Sequence, residues 1–395
     1  MSKRIIWDEP VEDGVYLNWD AEKYFRQETR GSSDWIKLFH KRHGWWWASK
    51  YNPDYVDPGG KGRTYGSALH ALMLEGTRAY VSRFAVLPDK AAHPGLVETI
   101  DEMKEALSQE LGADFLSGKS AWPKAKWLVA CAENDITAWG NLLEYFELSR
   151  GTREPISAAD DRMLTYMHQI AIDPERGDNA SIRKLLVESE AHPSLAEVSI
   201  ISTIDGIRRR WRIDKMMPGI DIDLKSLDEW KGRPLKFAVG DILARNGWDI
   251  QRADYHIGRS EAYRLIREGQ LFGGSIEQRN YITEIALNEP TWDWLWIAYQ
   301  KPALAGRAPV LMPIWDNSFT KDGHPGMLRQ IGQNKLDKAI AFYKDAVAQF
   351  GLEQPWGLVE QLHYTEAQPG AEQFTVVLPH WINEDAPAEQ DAYEQ

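Results

Sequence analysis

The sequence predicts an α/β fold in which a mixed sheet is flanked by helices. Three consecutive segments alternate polar and apolar residues and are separated by Asp205-Gly206 and Pro218-Gly219, which predicts an antiparallel meander. Helical patterns fill most of the first half of the chain and return from Asp249 onward. Because 395 residues exceed what one compact core usually organises, we expect two domains or one large domain with additions. The absence of internal repeats favours the single domain.

The composition is that of an ordinary globular protein. Hydrophobic residues make up 43% of the chain and charged residues 27%, which argues against wholesale disorder or a fibre. The single cysteine, Cys131, excludes an internal disulfide framework, a cysteine-rich zinc site and a four-thiolate iron–sulfur cluster. This cysteine usage is typical of the reducing cytosol.

Neither a targeting segment nor a membrane segment is apparent, so we expect a soluble cytoplasmic protein. The opening MSKRIIWDEPVEDG becomes acidic before a signal peptide's apolar region could begin, and no stretch approaches the roughly 20 apolar residues of a membrane span. The net charge of −13 disfavours a polyanionic partner for the chain as a whole, although it is a weak guide to a local site. Residues 384–395 carry five of these negative charges and are expected to form a disordered acidic tail.

The first helix is predicted over Ser32–Phe39, where a Ser/Asp capping signal precedes an amphipathic pattern. A basic and aromatic stretch follows this helix. Its side chains could grip a nucleic-acid end or form the buried end of a helix, and the sequence leaves both open for Lys41, Arg42, His43, Trp45, Trp46, Trp47 and Lys50.

A second helix is predicted over Thr64–Glu75. Gly66 and His70 lie four residues apart on one face, so we expect another backbone to approach closely beside His70. An isolated histidine at such a position is more often structural than a ligand. Further helical patterns between Ala91 and Arg150 give the first half of the chain an α-rich character.

The middle third switches to strands. The three alternating segments are Glu197–Ile204, Ile207–Met217 and Ile220–Leu227. A helix is then predicted over Asp249–Glu268, with Gln251 and Tyr255 on one face. The remaining elements are a hairpin at 294–299 and 309–315 and a long amphipathic helix at 336–350.

Two aspartates and a lysine converge at the second turn of the meander. Asp214 lies in one strand, and Asp223 and Lys225 lie in the next. Asp223 and Lys225 are on the same face of their strand, because strand side chains repeat every two residues. Burying these charges unpaired would cost several kcal/mol, so they require mutual ion pairing or a bound divalent cation. Carboxylates suit Mg²⁺ or Mn²⁺, whose waters phosphate oxygens can replace, and this predicts a phosphodiester-cleaving site. A surface salt bridge is the alternative for an isolated D-x-K triplet.

The order of these residues resembles that of the PD-(D/E)XK nuclease superfamily, in its RecB-like and RecE-like exonuclease branch. Asp214 and Asp223-Leu224-Lys225 are followed by Gln251-x-x-x-Tyr255 on a helix, and Gly66-Ser67-Ala68-Leu69-His70 matches the upstream G-x-x-x-H pattern of this branch. The segments GVYLNWDAEKYF, SSDWIKLF and GSALHALMLEG also occur in the order seen in the exodeoxyribonuclease VIII family.

The resemblance implies a restriction-endonuclease-like core, with a helical N-terminal portion and a C-terminal extension, and it implies roles for single residues. Asp214, Asp223 and His70 would hold Mg²⁺ or Mn²⁺, with no iron–sulfur cluster, and Lys225 would be the catalytic lysine. Gln251 and Tyr255 would position the DNA strand or the catalytic groups.

Two departures from the family pattern are visible, and two further acids lie near the motif. Ile213 stands where the family often has Pro, and Asp223 replaces the commoner Glu. Asp221 shares the strand face of Asp223 and is expected next to the metal ligands rather than among them. Glu197 begins the preceding strand and could reach the metal, but we expect it at the solvated rim of the site, because charged side chains prefer solvent.

A run of arginines precedes Asp214 in the same strand. Arg210 and Arg212 would contact DNA phosphates if their face borders the active groove. The alternative is an exposed edge strand that its charges keep soluble.

Together, the residues and the resemblance predict a single nuclease domain over residues 1–383. Its parts are a helix-rich segment at 1–190, a catalytic sheet and helix at 191–270 and a C-terminal extension at 271–383. The implied activity is that of a metal-dependent exonuclease acting on duplex DNA ends, 5′ to 3′, to expose 3′ single strands for a single-strand annealing protein in phage-type recombination. A ring-shaped homo-oligomer is implied as well. The alternatives are an endonuclease or defence-type nuclease with the same site, and a DNA-binding or assembly module without turnover.

Overall fold

The computed structural model describes residues 7–40, 42–52, 54–55, 61–173, 183, 185–186, 195–227, 242–288, 293–300, 310–316, 327–353 and 356. The predictions for Lys41 and for the acidic tail at 384–395 lie outside these residues.

Along the chain, helices both precede and follow the central strands, which lie between Ala196 and Leu227. In chain order they are α1 (Ala21–Phe25), α2 (Ser32–Phe39), α3 (His43–Tyr51), α4 (Lys61–His70), α5 (Thr77–Arg83), α6 (Ile100–Leu111), α7 (Lys124–Glu133), α8 (Trp139–Arg150), α9 (Ala158–Ile172), α10 (Trp248–Arg267), α11 (Ile276–Asn288) and α12 (Met327–Phe350). A π-helical turn, Ala71–Glu75, continues α4, and short 3₁₀ turns lie at Lys90–Ala92 and Ala113–Leu116.

A seven-stranded mixed sheet runs through the described part of the chain in the order β7-β1-β4-β5-β6-β8-β9. Its pairs are antiparallel except β1 with β7 and β6 with β8, which are parallel. This confirms the predicted mixed sheet flanked by helices. The strands, including β2 and β3 of a separate two-stranded sheet, are β1 (Gly14–Leu17), β2 (Phe84–Val86), β3 (Glu154–Ile156), β4 (Ala196–Ile204), β5 (Ile207–Met217), β6 (Ile220–Leu227), β7 (Leu271–Gly273), β8 (Asp293–Gln300) and β9 (Val310–Asp316).

The predicted meander is present as β4, β5 and β6. Asp205 and Gly206 both have positive φ, as a two-residue hairpin turn requires, and they place Ile204 opposite Ile207. The register then continues along the hairpin until Ala196 lies opposite Lys215. Because the turn fixes the register, it also fixes which residues of β4 lie beside Asp214 in β5.

The two faces of the sheet are covered by different helices. On one face, α10 and α11 pack against the buried rings of Trp211, Trp294 and Trp296. On the other, α4, the π-helical turn and α9 pack against Ile222 and Leu295. A helix on each face of a sheet buries the apolar side chains of both elements, which explains the near-continuous apolar character of β8.

Glycine lets α10 lie close to the sheet. A Cβ placed on Gly258 would lie 2.5 Å from Cγ of the buried Trp211, a separation that real Cβ atoms do not show. The close packing fixes the position of the α10 face that carries Gln251 and Tyr255.

The remaining predicted elements are confirmed with small changes of bounds. The helix Ser32–Phe39 matches its predicted bounds, and the hairpin predicted at 294–299 and 309–315 is the antiparallel pair β8 and β9. The final helix begins at Met327, nine residues before the predicted start at Leu336 (336 − 327 = 9). Its first turns cross α10, where a Cβ on Gly332 would lie 2.1 Å from the carbonyl oxygen of Asp249.

Candidate functional site

His70 enters the site from the end of α4. Its Nδ1 lies 3.4 Å from Oε1 of Glu197 and 3.6 Å from Oδ2 of Asp214. The histidine predicted from the G-x-x-x-H pattern therefore lies beside the predicted Asp214. The expected close approach at Gly66 is not found, because no described atom beyond its chain neighbours and the backbone of its own helix lies within 4 Å of a Cβ placed there. The glycine is thus not needed to admit a neighbouring backbone from that part of the chain.

Glu197 lies inside the cluster, which corrects its expected place at the solvated rim. The β4–β5 register pairs Ala196 with Lys215 and Val198 with Ile213, so Glu197 falls opposite Asp214. Glu197 has φ of 55°, in the left-handed region that side chains other than glycine rarely adopt. Such strain persists only where surrounding contacts fix it.

Two positive groups hold Glu197 in this position. The Arg212 guanidinium pairs with Oε2 of Glu197 through Nε, while His70 contacts the other carboxylate oxygen. Arg212 and His70 outweigh the effect of burial and lower the pKa of Glu197. Glu197 therefore remains an ionised carboxylate, which can bind a cation.

Asp214 joins β5 to β6 at the centre of the site. Its Oδ2 accepts a hydrogen bond of 2.9 Å from the backbone N–H of Leu224. Asp223 and Lys225 flank Leu224 in sequence, so this bond brings the D-x-K triplet next to Asp214. The predicted convergence of the two strands is thus confirmed in the structure.

Asp223 and Lys225 form a close pair. The Lys225 Nζ lies 2.7 Å from Oδ2 and 3.0 Å from Oδ1 of Asp223, and the second contact has hydrogen-bond geometry. From α10, Nε2 of Gln251 donates to the same Oδ1 at 3.1 Å. Asp223 is almost fully buried, so these donors compensate for its lost hydration.

Tyr255 is the second residue of α10 that the sequence predicts to belong to the site. It is buried one turn after Gln251 and packs edge-to-face on Trp294 with ring centroids 5.5 Å apart. Burial raises the pKa of Tyr255 far above its usual value, with Asp214 and Asp223 adding to the effect. Tyr255 therefore remains a neutral phenol beside the acids.

Asp214 and His70 hold more protons than the isolated side chains would. Burial raises the pKa of Asp214 to about 7, because desolvation and the charges of Asp223 and Glu197 outweigh His70 and Lys225. Burial alone would lower the pKa of His70, but Asp214 and Glu197 raise it to about 9. The site therefore carries protons that a cation bound to the same atoms would displace.

The residues present fit a divalent cation. His70, Glu197 and Asp214 each offer one ligand atom, and these atoms all lie within 4.8 Å of one another. Two carboxylates and one imidazole, with the carboxylate of Asp223 nearby, form an oxygen-rich donor set of the kind Mg²⁺ and Mn²⁺ take. The three-residue group contains Glu197, which sequence reasoning did not favour, and does not contain Asp223, which it did.

Asp221 lies away from this group. It forms an ion pair with Arg259 of α10, and both side chains are fully buried. Arg259 also donates to the carbonyl oxygen of Met217 at 2.9 Å and to the Tyr263 hydroxyl at 2.9 Å. Asp221 thus has a structural role in fixing α10 against the sheet.

The arginines of β5 do not form an exposed edge. The strand lies between β4 and β6 inside the sheet, so the edge-strand alternative is wrong. Arg210 is buried and donates to the carbonyl oxygens of Tyr24 and Phe25 at 3.2 and 3.1 Å. These contacts serve α1 rather than an open groove, so they do not favour the predicted phosphate contact for Arg210. Arg212 borders the site, but through Glu197.

The basic and aromatic stretch divides between the two interpretations left open by the sequence. His43, Trp46 and Trp47 are buried, and Lys50 pairs with the buried Asp34 at 3.1 Å. Trp45, by contrast, is 43% exposed. Most of the stretch is therefore part of a buried helix, as one of the two alternatives predicted.

The comparisons with known proteins give no family. No family model and no curated protein matches this chain. A solved structure described as a "putative exonuclease" from Eubacterium rectale aligns over 95% of this chain and 96% of its own, with 12% identity and a TM-score of 0.36. A similarity at this level does not establish a shared function. Among the helices that the structure describes, none is long and apolar enough to cross a membrane.

Proposed function

We propose that this protein is a metal-dependent nuclease that hydrolyses phosphodiester bonds of DNA. The observation that carries the proposal is the convergence of His70, Glu197 and Asp214, whose ligand atoms all lie within 4.8 Å of one another, next to the Asp223–Lys225 pair. A divalent cation at this position would polarise a phosphoryl oxygen and lower the pKa of a bound water. Several acids beside a lysine that is paired with one of them are needed for this reaction, whereas a simple salt bridge would need only one acid and one lysine.

The residues of the chain have distinct roles in this proposal. His70, Glu197 and Asp214 bind the cation, and Asp223 completes its environment. The Lys225 ammonium orients the attacking water and stabilises the charge that develops on the phosphoryl group. Gln251 fixes the Asp223 carboxylate that holds Lys225, which keeps the ammonium directed at the reaction site.

The finer features of the proposal come from the resemblance in sequence. We infer a PD-(D/E)XK nuclease of the RecE type that digests duplex ends 5′ to 3′ with Mg²⁺, exposes 3′ single strands for an annealing protein and works in the cytoplasm as a ring-shaped homo-oligomer. The motif order around His70, Asp214, Asp223, Lys225 and Gln251 supports this inference. The same site in an endonuclease or a defence-type nuclease would cleave the same bonds at other positions.

Digestion of labelled DNA tests the proposal. Linear duplex labelled at its 5′ or 3′ ends and closed-circular duplex are incubated with Mg²⁺, with Mn²⁺ and with EDTA. We expect metal-dependent release of mononucleotides from linear duplex, early loss of a 5′ label and no degradation of circles. Cleavage of circles would show an endonuclease in place of the proposed exonuclease. DNA that stays intact with both metals would refute the proposed nuclease activity.

Substitution of the lysine tests the site. We expect Lys225→Ala to lower the hydrolysis rate by about 10²- to 10⁴-fold, the usual contribution of a positioned acid–base group. Lys104→Ala, which removes a lysine paired with Asp101 on the surface of α6, is the matched control and should retain the full rate. Full activity in a folded Lys225→Ala protein would contradict the assignment.

A further inference from the structure

The surface of α2 and α3 carries an exposed tryptophan close to two cations. The Nζ atom of Lys37 lies 4.7 Å from the ring centroid of Trp45, and the guanidinium carbon of Arg42 lies 5.8 Å from it. The indole N–H donates to the hydroxyl of Tyr55 at 3.1 Å, which fixes the orientation of the ring. The ring is thus held in place while 43% of the residue faces solvent.

Among the residues that the structure describes, no acid pairs with either of the two cations. Within the described ranges, no carboxylate oxygen lies within 4.0 Å of Lys37 or Arg42. Lys90, by contrast, lies over the ring of Trp139 at 4.9 Å but also pairs with Glu98 at 2.7 Å. In a chain with a net charge of −13, unneutralised cations beside an exposed ring suit a polyanion that has flat bases.

This surface adjoins the catalytic cluster through the start of α10. Ile36, next to Lys37 in α2, packs against Gly247, where a Cβ would lie 2.9 Å from Ile36 Cγ1. The following residue, Trp248, has its ring 5.9 Å from the Nζ atom of Lys225. The helix α2, which carries Lys37, therefore contacts the start of α10, which in turn lies beside the catalytic lysine.

We propose that Lys37, Arg42 and Trp45 bind single-stranded DNA adjacent to the catalytic cluster, an inference that rests on the proposed nuclease function. The cations contact phosphates, and the ring of Trp45 stacks on a base. A single strand fits this arrangement because its bases are free to stack, whereas those of a duplex are already stacked on each other. The substrate strand is consequently unpaired where it passes this surface.

The experiment is an anisotropy titration of fluorescein-labelled oligothymidylate of about 20 nucleotides with the full chain in EDTA. Trp45→Ala should weaken binding by about 5- to 150-fold, which corresponds to the loss of one stacked base. The double variant Lys37→Ala, Arg42→Ala should reduce the slope of log K against log[salt] by about 1.4, or 0.7 for each lost phosphate contact. Trp45→Phe retains a ring and should restore most of the affinity.

Controls separate stacking from general effects. Tyr145→Ala removes a 73% exposed ring on α8, and Lys90→Ala removes a cation that already has a carboxylate partner, so both should bind like the wild type. Circular dichroism confirms folding, and the double variant tests the surface even if Trp45→Ala does not fold.

Two outcomes would overturn the inference: wild-type affinity in a folded Trp45→Ala protein, or an unchanged salt slope in the double variant. Because the titration requires no hydrolysis, either result refutes this surface alone. The proposed function fails separately, if the wild type leaves DNA intact with both metals.

Discussion

Divalent-cation binding at His70, Glu197 and Asp214 should release protons, and the structure sets the amount. With pKa values of about 9 for His70 and about 7 for Asp214, the cluster at pH 7 carries about one proton on the imidazole and about half a proton on the carboxyl. A cation binds the neutral imidazole and the ionised carboxylate, so each ion bound should displace about 1.5 protons at pH 7.

The affinity for the cation should consequently rise with pH. Both pKa values are raised, so the fraction of protein with both groups deprotonated is small at low pH and grows as pH increases through each value. Between pH 7 and 8 this fraction grows roughly 17-fold, about 9-fold from His70 and about 2-fold from Asp214. Because the two groups are 3.6 Å apart and share protons, the total is the quantity to measure.

Calorimetry with Mn²⁺ measures this total. Titrations at one pH in buffers with different ionisation enthalpies give the number of protons released, and repetition between pH 6 and 9 gives the pH dependence. His93→Gln replaces a histidine outside the cluster and should leave both results unchanged. Binding that releases no protons and keeps a constant affinity over this range would refute the assignment of the ion to His70 and Asp214.

Two further predictions follow from the contacts around the site. Arg212→Ala should weaken Mn²⁺ binding by about 10- to 100-fold, because Glu197 loses the partner that orients it, while Arg162→Ala on the surface should have no effect. Equal Mn²⁺ affinities for these two variants would contradict that role. Arg259→Leu should lower the free energy of unfolding by about 3–5 kcal/mol in urea denaturation, because it leaves a buried carboxylate without its partner. Arg264→Leu breaks a solvent-exposed pair and should cost less than about 1 kcal/mol, and similar losses for both would contradict the buried pair's importance.

The central hairpins could be predicted from the sequence because short-range chemistry determines them. Asp-Gly and Pro-Gly turns, together with period-two alternation, specify where each strand begins and which residues oppose one another. The second turn likewise explains why Asp214 lies beside β6, as the sequence predicts. Sequence periodicity also placed Gln251 and Tyr255 on a helix that reaches Asp223.

A position of Glu197 inside the cluster is the less favoured of the two alternatives that the sequence leaves open, although a signal for it is present. A two-residue turn that places Ile204 opposite Ile207 also places Glu197 opposite Asp214, because antiparallel partners step in opposite directions along the two strands. The general preference of charged residues for solvent was applied in place of this register. The left-handed backbone at Glu197 and its pairing with Arg212 depend on tertiary contacts, which local patterns do not specify.

The internal contacts of Arg210 could not be predicted for a similar reason. A run of arginines in a strand predicts either phosphate contacts or a charged edge, and neither pattern includes the carbonyl oxygens of Tyr24 and Phe25. These acceptors come from a helix more than 180 residues earlier in the chain (210 − 25 = 185). Only the folded arrangement of α1 over β5 brings them within reach.

Anomalous scattering from crystals soaked in Mn²⁺ tests the central claim most directly. We predict a manganese peak in contact with His70, Glu197 and Asp214, and its absence in crystals of Asp214→Asn grown and soaked in the same way. A peak elsewhere, or none at these three side chains at saturating Mn²⁺, would contradict the proposed metal centre and the hydrolytic mechanism built on it.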